Sequence, residues 1–409
     1  MNCRFCNSEL KHVFMDLGKT PLANSYLKKE ELEKKEKYYP LRVFVCSKCF
    51  LVQLEEFESP KEIFSEYAYF SSFSEKWLEH AQKFVESVTS RFNLDHQSKV
   101  LEIASNDGYM LQFFKDRKIP VLGVEPAVNI SKIANEREIP TITKFFGSDV
   151  AEEIAEEKEK QTLVIAFNVL PHTPNPSDFI LGLKKITEKN GVIVIQFSAY
   201  LPTLISNREF DTVYHEHFSY FSLLTLKKIF SKFELEIFDV EELNIHGGSL
   251  RLYIKHSENS YFKIENSVLD KIEQEKKLGL DEISTYENFQ TKIEEKKKEV
   301  VEFLADLKSK NKVVVGYGAP AKACTFLNYC EMDKSILSFT VDKSTYKQKL
   351  YLPSTHIPIF KPEKIFETKP DYVLILAWNL KDEIIEQMKS IKDWGGKFVV
   401  FIPELEIIE

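Results

Sequence analysis

The sequence predicts an α/β protein in which a Rossmann-like domain lies between a small cysteine-centred module and a second α/β domain. Three observations predict it: two Cys-x2-Cys pairs within the first fifty residues, strand and helix patterns that alternate in the middle, and a second alternation near the end. Strands that alternate with helices of about 10 to 15 residues form parallel, doubly wound sheets. We therefore expect a module over 1–70, the Rossmann-like domain over 71–260, and a connector helix with the last domain over 261–409.

The alternation is visible in the residues themselves. KVLEIAS, VLGVEP, LVIAFNVL and GVIVIQF have the apolar runs of buried strands, and GYMLQFFKDRK, NISKIANERE and SDFILGLKKITEK have helical spacing. The stretch 261–312 carries many Glu and Lys and few apolar residues, which predicts a solvated helical connector. KVVVGYGAP, ILSFTVDKS, YVLILAW and KFVVFIPE then begin the second α/β domain.

Composition narrows the classes of function. The 409 residues carry a formal net charge of -8, whereas proteins that bind nucleic acids usually present a basic surface. No run of about 18 apolar residues could span a bilayer, and the N-terminus lacks the apolar segment of a secretion signal. We therefore expect a cytoplasmic protein, monomeric or weakly homo-oligomeric, without a membrane or nucleic-acid partner.

Four of the six cysteines have the spacing of a metal site. Cys3 and Cys6 form one Cys-x2-Cys pair, and Cys46 and Cys49 form the other. In a reducing compartment such pairs are metal ligands more often than disulfides. Four thiolates complete the tetrahedral shell of Zn²⁺ and leave no open position for a substrate, so the predicted zinc is structural.

The turn after the first central strand predicts the cofactor. In LEIASNDGYM, Glu102 ends the strand, and Asn106, Asp107 and Gly108 form the turn before a helix. Dinucleotide-binding turns need several glycines so that a pyrophosphate can approach. S-Adenosylmethionine has no phosphate, and acidic and amide side chains suit its ammonium and hydroxyl groups. The single-glycine turn therefore favours S-adenosylmethionine.

Further residues extend this predicted cofactor pocket. Glu125 ends the next strand, 23 residues after Glu102, where a carboxylate accepts hydrogen bonds from two ribose hydroxyls. By their position in the fold, Phe146 and Gly147 border the adenine, and Asn168 closes the pocket. The predicted cofactor-binding residues are Glu102, Ala104, Asn106, Asp107, Gly108, Glu125, Pro126, Phe146, Gly147 and Asn168.

The segment FDTVYHEHFSYFS is the candidate catalytic segment. Tyr214, His215, Glu216 and His217 supply a phenol, a carboxylate and two imidazoles, which are the groups of a site that abstracts a proton and holds an oxyanion. A metal site is the open alternative, because His215 and His217 would share one face of an extended strand and could ligate iron or zinc.

Two glycine-containing turns are candidate substrate sites. NIHGGSLRLYIKH contains His246, Gly247 and Arg251, although turn geometry alone also accounts for the glycines. VVVGYGAPAK places Gly316 and Gly318 between a strand and a helix, as in a dinucleotide site, and Asp342 ends the next strand. The missing third glycine and the Ala-Pro that follows make NAD the weaker alternative.

These motifs together resemble the deoxysugar C-methyltransferases that methylate C-3′ of nucleotide-linked 4-keto-6-deoxyhexoses in antibiotic and polysaccharide pathways. The resemblance covers nearly the whole chain. It rests on DLGKTPLANSYL, YPLRVFVCSKCFLVQL, YAYFSSFSEKWLEHA, EIASNDGYMLQFF, GVEPA, FDTVYHEHFSYFS, HGGSLR, GYGAPAKACTFLNYC, YLPSTHIPI and ILAWNLKDEI. It implies a zinc-binding module, a methyltransferase domain and a last domain that helps to hold the sugar nucleotide.

The resemblance also implies an enolate mechanism. His217 would remove the C-3′ proton, which the C-4′ ketone acidifies, while Tyr214 and Glu216 shape the site. The stretch 67–72 would form a lid, and the turn at Gly318 would receive the diphosphate at a helix N-terminus. The predicted substrate-binding residues are Tyr67, Tyr69, Phe70, Ser71, Ser72, His246, Gly247, Arg251, Gly316, Tyr317, Gly318, Ala319, Lys322 and Asp342.

One departure from the family pattern concerns the end of the fifth strand. Family members commonly have Glu-Phe-Pro-His there, and this chain has Gln196, Phe197, Ser198 and Ala199. Tyr200 or His215 could offset the missing histidine, or the sugar could differ. Two other functions stay open: O-methylation of a sugar hydroxyl, and a non-catalytic zinc-stabilised module that binds a sugar nucleotide.

Overall fold

Within residues 1–59, 71–245 and 247–409, which the computed structural model describes, the strands form three sheets, and the predicted fold class is confirmed. The strands are β1 His12–Thr20, β2 Tyr39–Val45, β3 Val52–Leu54, β4 Val100–Ile103, β5 Val121–Val124, β6 Thr141–Ile142, β7 Gln161–Phe167, β8 Thr187–Ser198, β9 Ser219–Tyr220, β10 Leu235–Leu243, β11 Ser249–His256, β12 Val314–Tyr317, β13 Thr340–Val341, β14 Ile359–Phe360, β15 Tyr372–Ile375, β16 Lys397–Val400 and β17 Glu406–Ile408. The helices are α1 Glu75–Arg91, α2 Leu111–Lys115, α3 Val128–Glu136, α4 Ser148–Lys158, α5 Pro176–Ile186, α6 Leu201–Asn207, α7 Leu223–Lys232, α8 Asn266–Lys277, α9 Ile283–Glu287, α10 Phe289–Ser309, α11 Ala321–Tyr329, α12 Lys364–Thr368 and α13 Lys381–Gln387.

The N-terminal sheet is antiparallel and ends on a strand from the middle of the chain. Its order is β1-β2-β3-β9, and Val52 of β3 pairs with Tyr220 of β9. The polar backbone groups along one edge of β3 therefore find partners in a strand near the end of the candidate catalytic segment. This pairing fixes the module against the central domain.

The central sheet has the order β10-β11-β8-β7-β4-β5-β6. Strands β6, β5, β4, β7 and β8 run parallel to one another, and β11 and β10 run antiparallel to their neighbours. The chain order reverses at β4, which has β5 on one side and β7 on the other. Ligands of open α/β sheets bind at the carboxyl ends of the strands at such a reversal, which is where the turn after β4 and Asn168 after β7 lie.

The central sheet is covered on both faces. Side chains alternate along β4, so Leu101 and Ile103 join one apolar cluster and Val100 joins another. Helices α1 and α2 pack on the Val100 side, and α4, α5 and α7 pack on the opposite side. No helix in the described ranges has both the length and the apolarity to cross a bilayer.

The last domain is a smaller sheet of order β14-β13-β12-β15-β16-β17, parallel except for β17. Helices α8 to α10 precede it. The prediction of a solvated connector is wrong for α10, which buries Phe289, Ile293, Val300 and Leu304 in a core shared with the N-terminal sheet and the last domain. Sparse apolar residues at helical spacing were enough to form a buried stripe.

Helix α8 contributes a buried carboxylate that joins three segments. Glu275 is fully buried; it accepts hydrogen bonds from the amides of Leu223 (2.7 Å) and Leu224 (2.8 Å) and from the Tyr200 hydroxyl (2.5 Å). The first two donors belong to the start of α7, where helix amides lack partners within the helix. Burial raises the pKa of Glu275, and these three donors act in the opposite direction.

We expect Glu275→Ala to lower the free energy of unfolding by about 2 to 4 kcal/mol, because it leaves buried donors without an acceptor. Chemical denaturation measures this change. The control is Glu273→Ala on the same helix, where the exposed carboxylate pairs with Lys277. That variant should unfold at the wild-type denaturant concentration, and equal destabilisation of both variants would contradict the capping role of Glu275.

Candidate active site and metal centre

The two Cys-x2-Cys pairs adopt the same backbone conformation. In each knuckle the amide four residues after the first cysteine donates to that cysteine's carbonyl, at 3.0 Å for Cys3 and 2.8 Å for Cys46. The residue after the second cysteine is left-handed in both, with φ of 59° at Asn7 and 63° at Phe50. The sequence spacing therefore produces two equivalent turns that direct their thiols inward.

The four thiols form a metal site. The sulfurs of Cys3, Cys6, Cys46 and Cys49 all lie within 4.8 Å of one another, with 3.5 Å between Cys3 and Cys49 and 3.4 Å between Cys6 and Cys46. Tetrahedral Zn–S bonds of about 2.3 Å place sulfurs about 3.8 Å apart, so the cluster fits Zn²⁺. Gln53 Nε2 donates to the Cys3 sulfur at 3.3 Å, which supports a thiolate there.

We expect the purified protein to contain one zinc ion per chain and Cys46→Ser to lose it, with a lower melting temperature, because metal binding contributes directly to the stability of such modules. Elemental analysis and thermal unfolding measure both effects. Cys330→Ser, far from the cluster, should keep its zinc. Retention of zinc by Cys46→Ser would contradict the assignment.

The turn after β4 has an unusual backbone. Ala104, Asn106 and Gly108 all have positive φ, of 54°, 49° and 78°. A Cβ at residue 108 would lie 2.4 Å from a side-chain carbon of Ile139, so Gly108 is required both for its conformation and for space. This turn joins the end of β4 to α2.

Two buried polar atoms of this turn, Ser105 Oγ and Asp107 Oδ1, have no hydrogen-bond partner among the described residues. Glu102, near the end of β4, shares a side-chain hydrogen bond with Tyr109. Burial raises the pKa of Glu102 well above its ordinary value, with Tyr109 acting in the opposite direction. Because buried polar groups normally have partners, the Ser105 and Asp107 atoms fit a polar ligand with hydroxyl and ammonium groups.

Glu125 stands beside the same turn. Its carboxylate accepts the amides of Asn106 (3.0 Å) and Ala127 (2.9 Å), and burial raises its pKa. Each oxygen keeps a second lone pair for a hydroxyl. Asn168, also left-handed with φ of 54°, uses its side-chain oxygen to accept the amide of Ser198 at 3.1 Å. Pro126, half-buried, follows Glu125 directly.

Two other predicted cofactor residues lie before α4. Phe146 packs its ring edge against Phe179 of α5, with centroids 5.5 Å apart. A Cβ at Gly147 would lie 2.4 Å from the Asp178 carboxylate, so this glycine serves the packing of α4 on α5. The sequence places both residues near the pocket, and the described contacts give them a packing role.

The residues just before α1 contact the cofactor turn. The amide of Ser71 donates to Asn106 Oδ1 at 2.8 Å, and the Ser72 hydroxyl donates to Asp107 Oδ2. Arg137 Nη1 also contacts that carboxylate at 3.1 Å. The predicted lid residues Tyr67, Tyr69 and Phe70 lie outside the described residues, as does His246.

We expect Glu125→Ala to weaken binding of the demethylated donor by about tenfold or more, since it removes an acceptor for the ribose hydroxyls. Isothermal titration calorimetry measures the affinity. The control is Glu136→Ala on α3, where an exposed carboxylate pairs with Lys132. Equal affinities for Glu125→Ala and the control would contradict the predicted pocket.

The candidate catalytic segment forms a turn rather than a strand. The His217 amide donates to the Tyr214 carbonyl at 3.0 Å. His217 Nδ1 donates to the Thr212 carbonyl at 3.0 Å, so its Nε2 carries the lone pair and accepts the Tyr214 hydroxyl at 2.8 Å. Burial lowers the pKa of His217 well below its ordinary value, and the neighbouring His172 and Lys322 act in the same direction. The imidazole is therefore neutral, and its Nε2 lone pair is directed at the Tyr214 hydroxyl.

The turn separates the side chains that the metal alternative would bring together. His215 is directed at the Pro40 carbonyl, 3.2 Å away, and packs edge-on against Tyr39 and Phe57. His217 packs against Tyr214 and His172 instead. Among the described residues the cysteines form the one cluster with metal-ligand geometry, so the structure does not assemble an iron or zinc site from this segment.

The structure adds His172, which sequence reasoning missed. It ends the short helical turn Leu170–His172, four residues after Asn168, and its ring centroid lies 4.7 Å from that of His217. Its Nδ1 donates to the Glu216 carbonyl at 2.7 Å, and burial lowers its pKa to about 4. His172 thus links the cofactor edge of the sheet to the catalytic turn. The signal in the sequence was only a histidine soon after a strand end.

Glu216 is buried beside this pair. Its side chain is 4% exposed, and burial raises its pKa to about 7. The Asn24 side chain donates to Glu216 Oε1 at 2.7 Å, and this donor and Lys347 act against the shift. At neutral pH the carboxyl is therefore close to the middle of its titration.

The turn at Gly247 contacts the last domain. Gly247 has φ of 91°, and a Cβ there would lie 2.4 Å from the indole ring of Trp378. Trp378 Nε1 donates to the buried Asp211 at 2.7 Å, and Lys322 Nζ lies 4.2 Å from the indole centroid. Burial raises the pKa of Asp211, and Lys322 opposes this. Trp378 and Asp211 are further site residues that the sequence did not reveal.

Arg251 lies deeper in the central sheet than the predicted substrate-facing turn. It is 5% exposed, and its guanidinium donates to Gln196 Oε1 (2.7 Å) and to Glu241 Oε2 (2.8 Å). The ring nitrogen of His80 lies 3.2 Å from the same guanidinium. The described contacts of Arg251 are thus within the domain.

The turn after β12 faces the catalytic segment. Gly318 has φ of 99°, and the Ala319 amide donates to Asp342 Oδ2 at 2.8 Å. Lys347 Nζ donates to the Ala319 carbonyl at 2.8 Å. Lys322 follows at the start of α11. Gly316 lies within β12, and the Tyr317 hydroxyl is 3.0 Å from Gln387 Oε1.

Neither Tyr200 nor His215 replaces the histidine that family members commonly have after the fifth strand. Ala199 is left-handed, with φ of 60°, and 4% exposed. The Tyr200 hydroxyl points away to Glu275, and His215 points to Pro40. The imidazole that the structure places beside His217 is His172.

Three family models match successive parts of the chain. The family models that match are described as "Putative zinc binding domain" over residues 3–64, "Methyltransferase domain" over 77–240, and "C-methyltransferase C-terminal domain" over 244–403. The C-methyltransferase NovU of Streptomyces niveus is 33% identical over 406 residues, which cover 99% of this chain and 96% of that protein.

Solved structures match less than half of this chain. Magnesium protoporphyrin IX methyltransferase ChlM from Synechocystis PCC 6803 with bound SAH is 14% identical, with 43% of this chain and 81% of that chain covered and a TM-score of 0.34. The PH0226 protein from Pyrococcus horikoshii OT3 is 14% identical, with 49% and 99% covered and a TM-score of 0.36.

Proposed function

This chain belongs to the family of S-adenosylmethionine-dependent C-methyltransferases, and from that premise we propose that it methylates C-3′ of a nucleotide-linked 4-ketosugar through an enolate. The chain is thus an enzyme with S-adenosylmethionine as its cofactor and a zinc-binding module. The observation that carries the proposal is the hydrogen-bonded pair of Tyr214 and His217 beside His172. It lies where the cofactor edge of the central sheet meets the last domain.

The bound cofactor supplies an electrophilic methyl group. In this proposal Glu125 accepts the ribose hydroxyls, and Asp107 Oδ1, which has no partner among the described residues, binds the ammonium group. Asn168 and His172 connect this edge to the catalytic turn through four residues of backbone, and the Phe218 amide donates to the Pro171 carbonyl at 2.8 Å. This short connection between the cofactor edge and the catalytic turn supports the proposal that the methyl donor and the acceptor carbon lie side by side.

His217 is the proposed base. Its Nδ1 donates to the Thr212 carbonyl, and its Nε2 accepts the Tyr214 hydroxyl. The Tyr214 oxygen would take the C-3′ proton while its own hydroxyl proton moves to Nε2, so the electrons of the C-3′–H bond form the enolate and the imidazole becomes an imidazolium. These two charges form as a pair, so neither is buried unpaired. C-3′ of the enolate would then bond to the donor's methyl group as the sulfur–methyl bond breaks, which leaves the neutral thioether.

The last domain is the proposed site of the nucleotide. The Gly318 turn precedes α11, whose N-terminus favours an anion. Lys322 and Lys347 add positive charge on the side that faces Asp211 and Glu216. A diphosphate at this turn would leave the sugar between the two domains, next to Tyr214.

We expect His217→Asn to lower kcat by about 10² to 10⁴-fold, because it removes the base, while the affinity for the methyl donor stays at the wild-type value. Incubation of a nucleotide 4-ketosugar in D₂O without donor provides the direct test. Wild-type enzyme should introduce deuterium at C-3′, and His217→Asn should match the enzyme-free rate. Methylation without C-3′ exchange would contradict the enolate and favour transfer to a hydroxyl oxygen.

A further inference from the structure

The segment between β1 and β2 of the zinc module, residues 21–38, crosses to the other two domains and is here called the strap. Leu27 exchanges backbone hydrogen bonds with Tyr351 at 3.0 and 2.9 Å. Glu36 contacts His356 Nε2 at 2.8 Å. The strap thus has a fixed path across the last domain.

Two side chains of the strap reach the candidate active site. Asn24 Nδ2 donates to Glu216 Oε1 at 2.7 Å. The Tyr26 hydroxyl donates to the Ala319 carbonyl at 2.6 Å and lies 3.3 Å from Asn24 Oδ1. Asn24 itself is exposed, whereas Glu216 is buried. The strap therefore contacts both the catalytic turn and the turn proposed to face the diphosphate.

We propose that Asn24 is a positioning residue of the active site, which holds the Glu216 carboxylate through this hydrogen bond and favours its ionised form. Tyr26 ties the same strap to Ala319, so one segment of the zinc module contacts both the catalytic turn and the last domain. The role of Glu216 in turnover rests on the proposed function, whereas the hydrogen bond and its effect on Glu216 do not.

An amide donor stabilises a carboxylate and not the neutral acid. Burial raises the pKa of Glu216 to about 7 even with this donor present, so its loss should change the ionised fraction at neutral pH. The other titratable or charged groups around Glu216 are His172 from the central sheet, Cys324 and Lys347 from the last domain, Tyr26 from the strap, and Tyr214, His215 and His217 from its own turn. Asn24→Ala leaves all of them in place.

The first experiment titrates Glu216 directly in the zinc-loaded, full-length protein. Infrared spectra across pH show the protonated carboxyl band, and the band that Glu216→Gln removes belongs to Glu216. We expect Asn24→Ala to raise its midpoint by about one pH unit. Ser25→Ala is the matched control, because Ser25 is exposed and its hydroxyl donates to the Leu22 carbonyl within the strap. Its midpoint should equal that of wild type.

An unchanged midpoint in Asn24→Ala would overturn the proposal. This titration needs no sugar substrate, so its result stands even if the proposed reaction is wrong. With an active substrate, the pH profile of kcat gives a second readout. The limb that Glu216→Gln abolishes should move to higher pH in Asn24→Ala, with activity recovered above it, and an equal loss at every pH would indicate structural damage only.

Discussion

Burial of one turn joins the N-terminal sheet to the last domain. Phe210 and Val213 belong to the same apolar core as Leu17 of β1 and Ala323 of α11, and the Thr325 hydroxyl donates to the Val213 carbonyl at 2.8 Å. Such a buried carbonyl needs a donor, and here the donor comes from the last domain. The catalytic side chains that follow therefore project from a backbone that both neighbouring units hold.

The same burial sets the electrostatics of the site. Removal from water disfavours either charge, so it lowers the pKa of His217 and raises those of Glu216 and Asp211. Lys322 and Lys347 from the last domain offset the shifts of the acids. The protonation of the catalytic turn is thus a property of the assembled chain and not of the methyltransferase domain alone.

Sequence reasoning succeeded where the determining interactions are local. The cysteine knuckles and the acids at the ends of β4 and β5 follow from spacing of a few residues, and the alternation of strands and helices predicted the sheets. It missed His172, Trp378 and Asp211 because their partners are distant in sequence. The metal alternative depended on an extended strand at residues 214–217, whereas a turn closed by the His217 amide directs His215 and His217 to different partners.

Because β3 pairs with β9, the N-terminal sheet is not complete within the zinc module. Residues 3–64 match a family model as a unit, yet β3 has β9 as its outer neighbour, from residues 219–220. A fragment that ended before residue 219 would expose the edge of β3, which favours pairing with other chains. The zinc module is therefore a recognisable unit of sequence whose sheet includes a later part of the chain. During synthesis this sheet would be complete only after β9 had been made and had paired with β3.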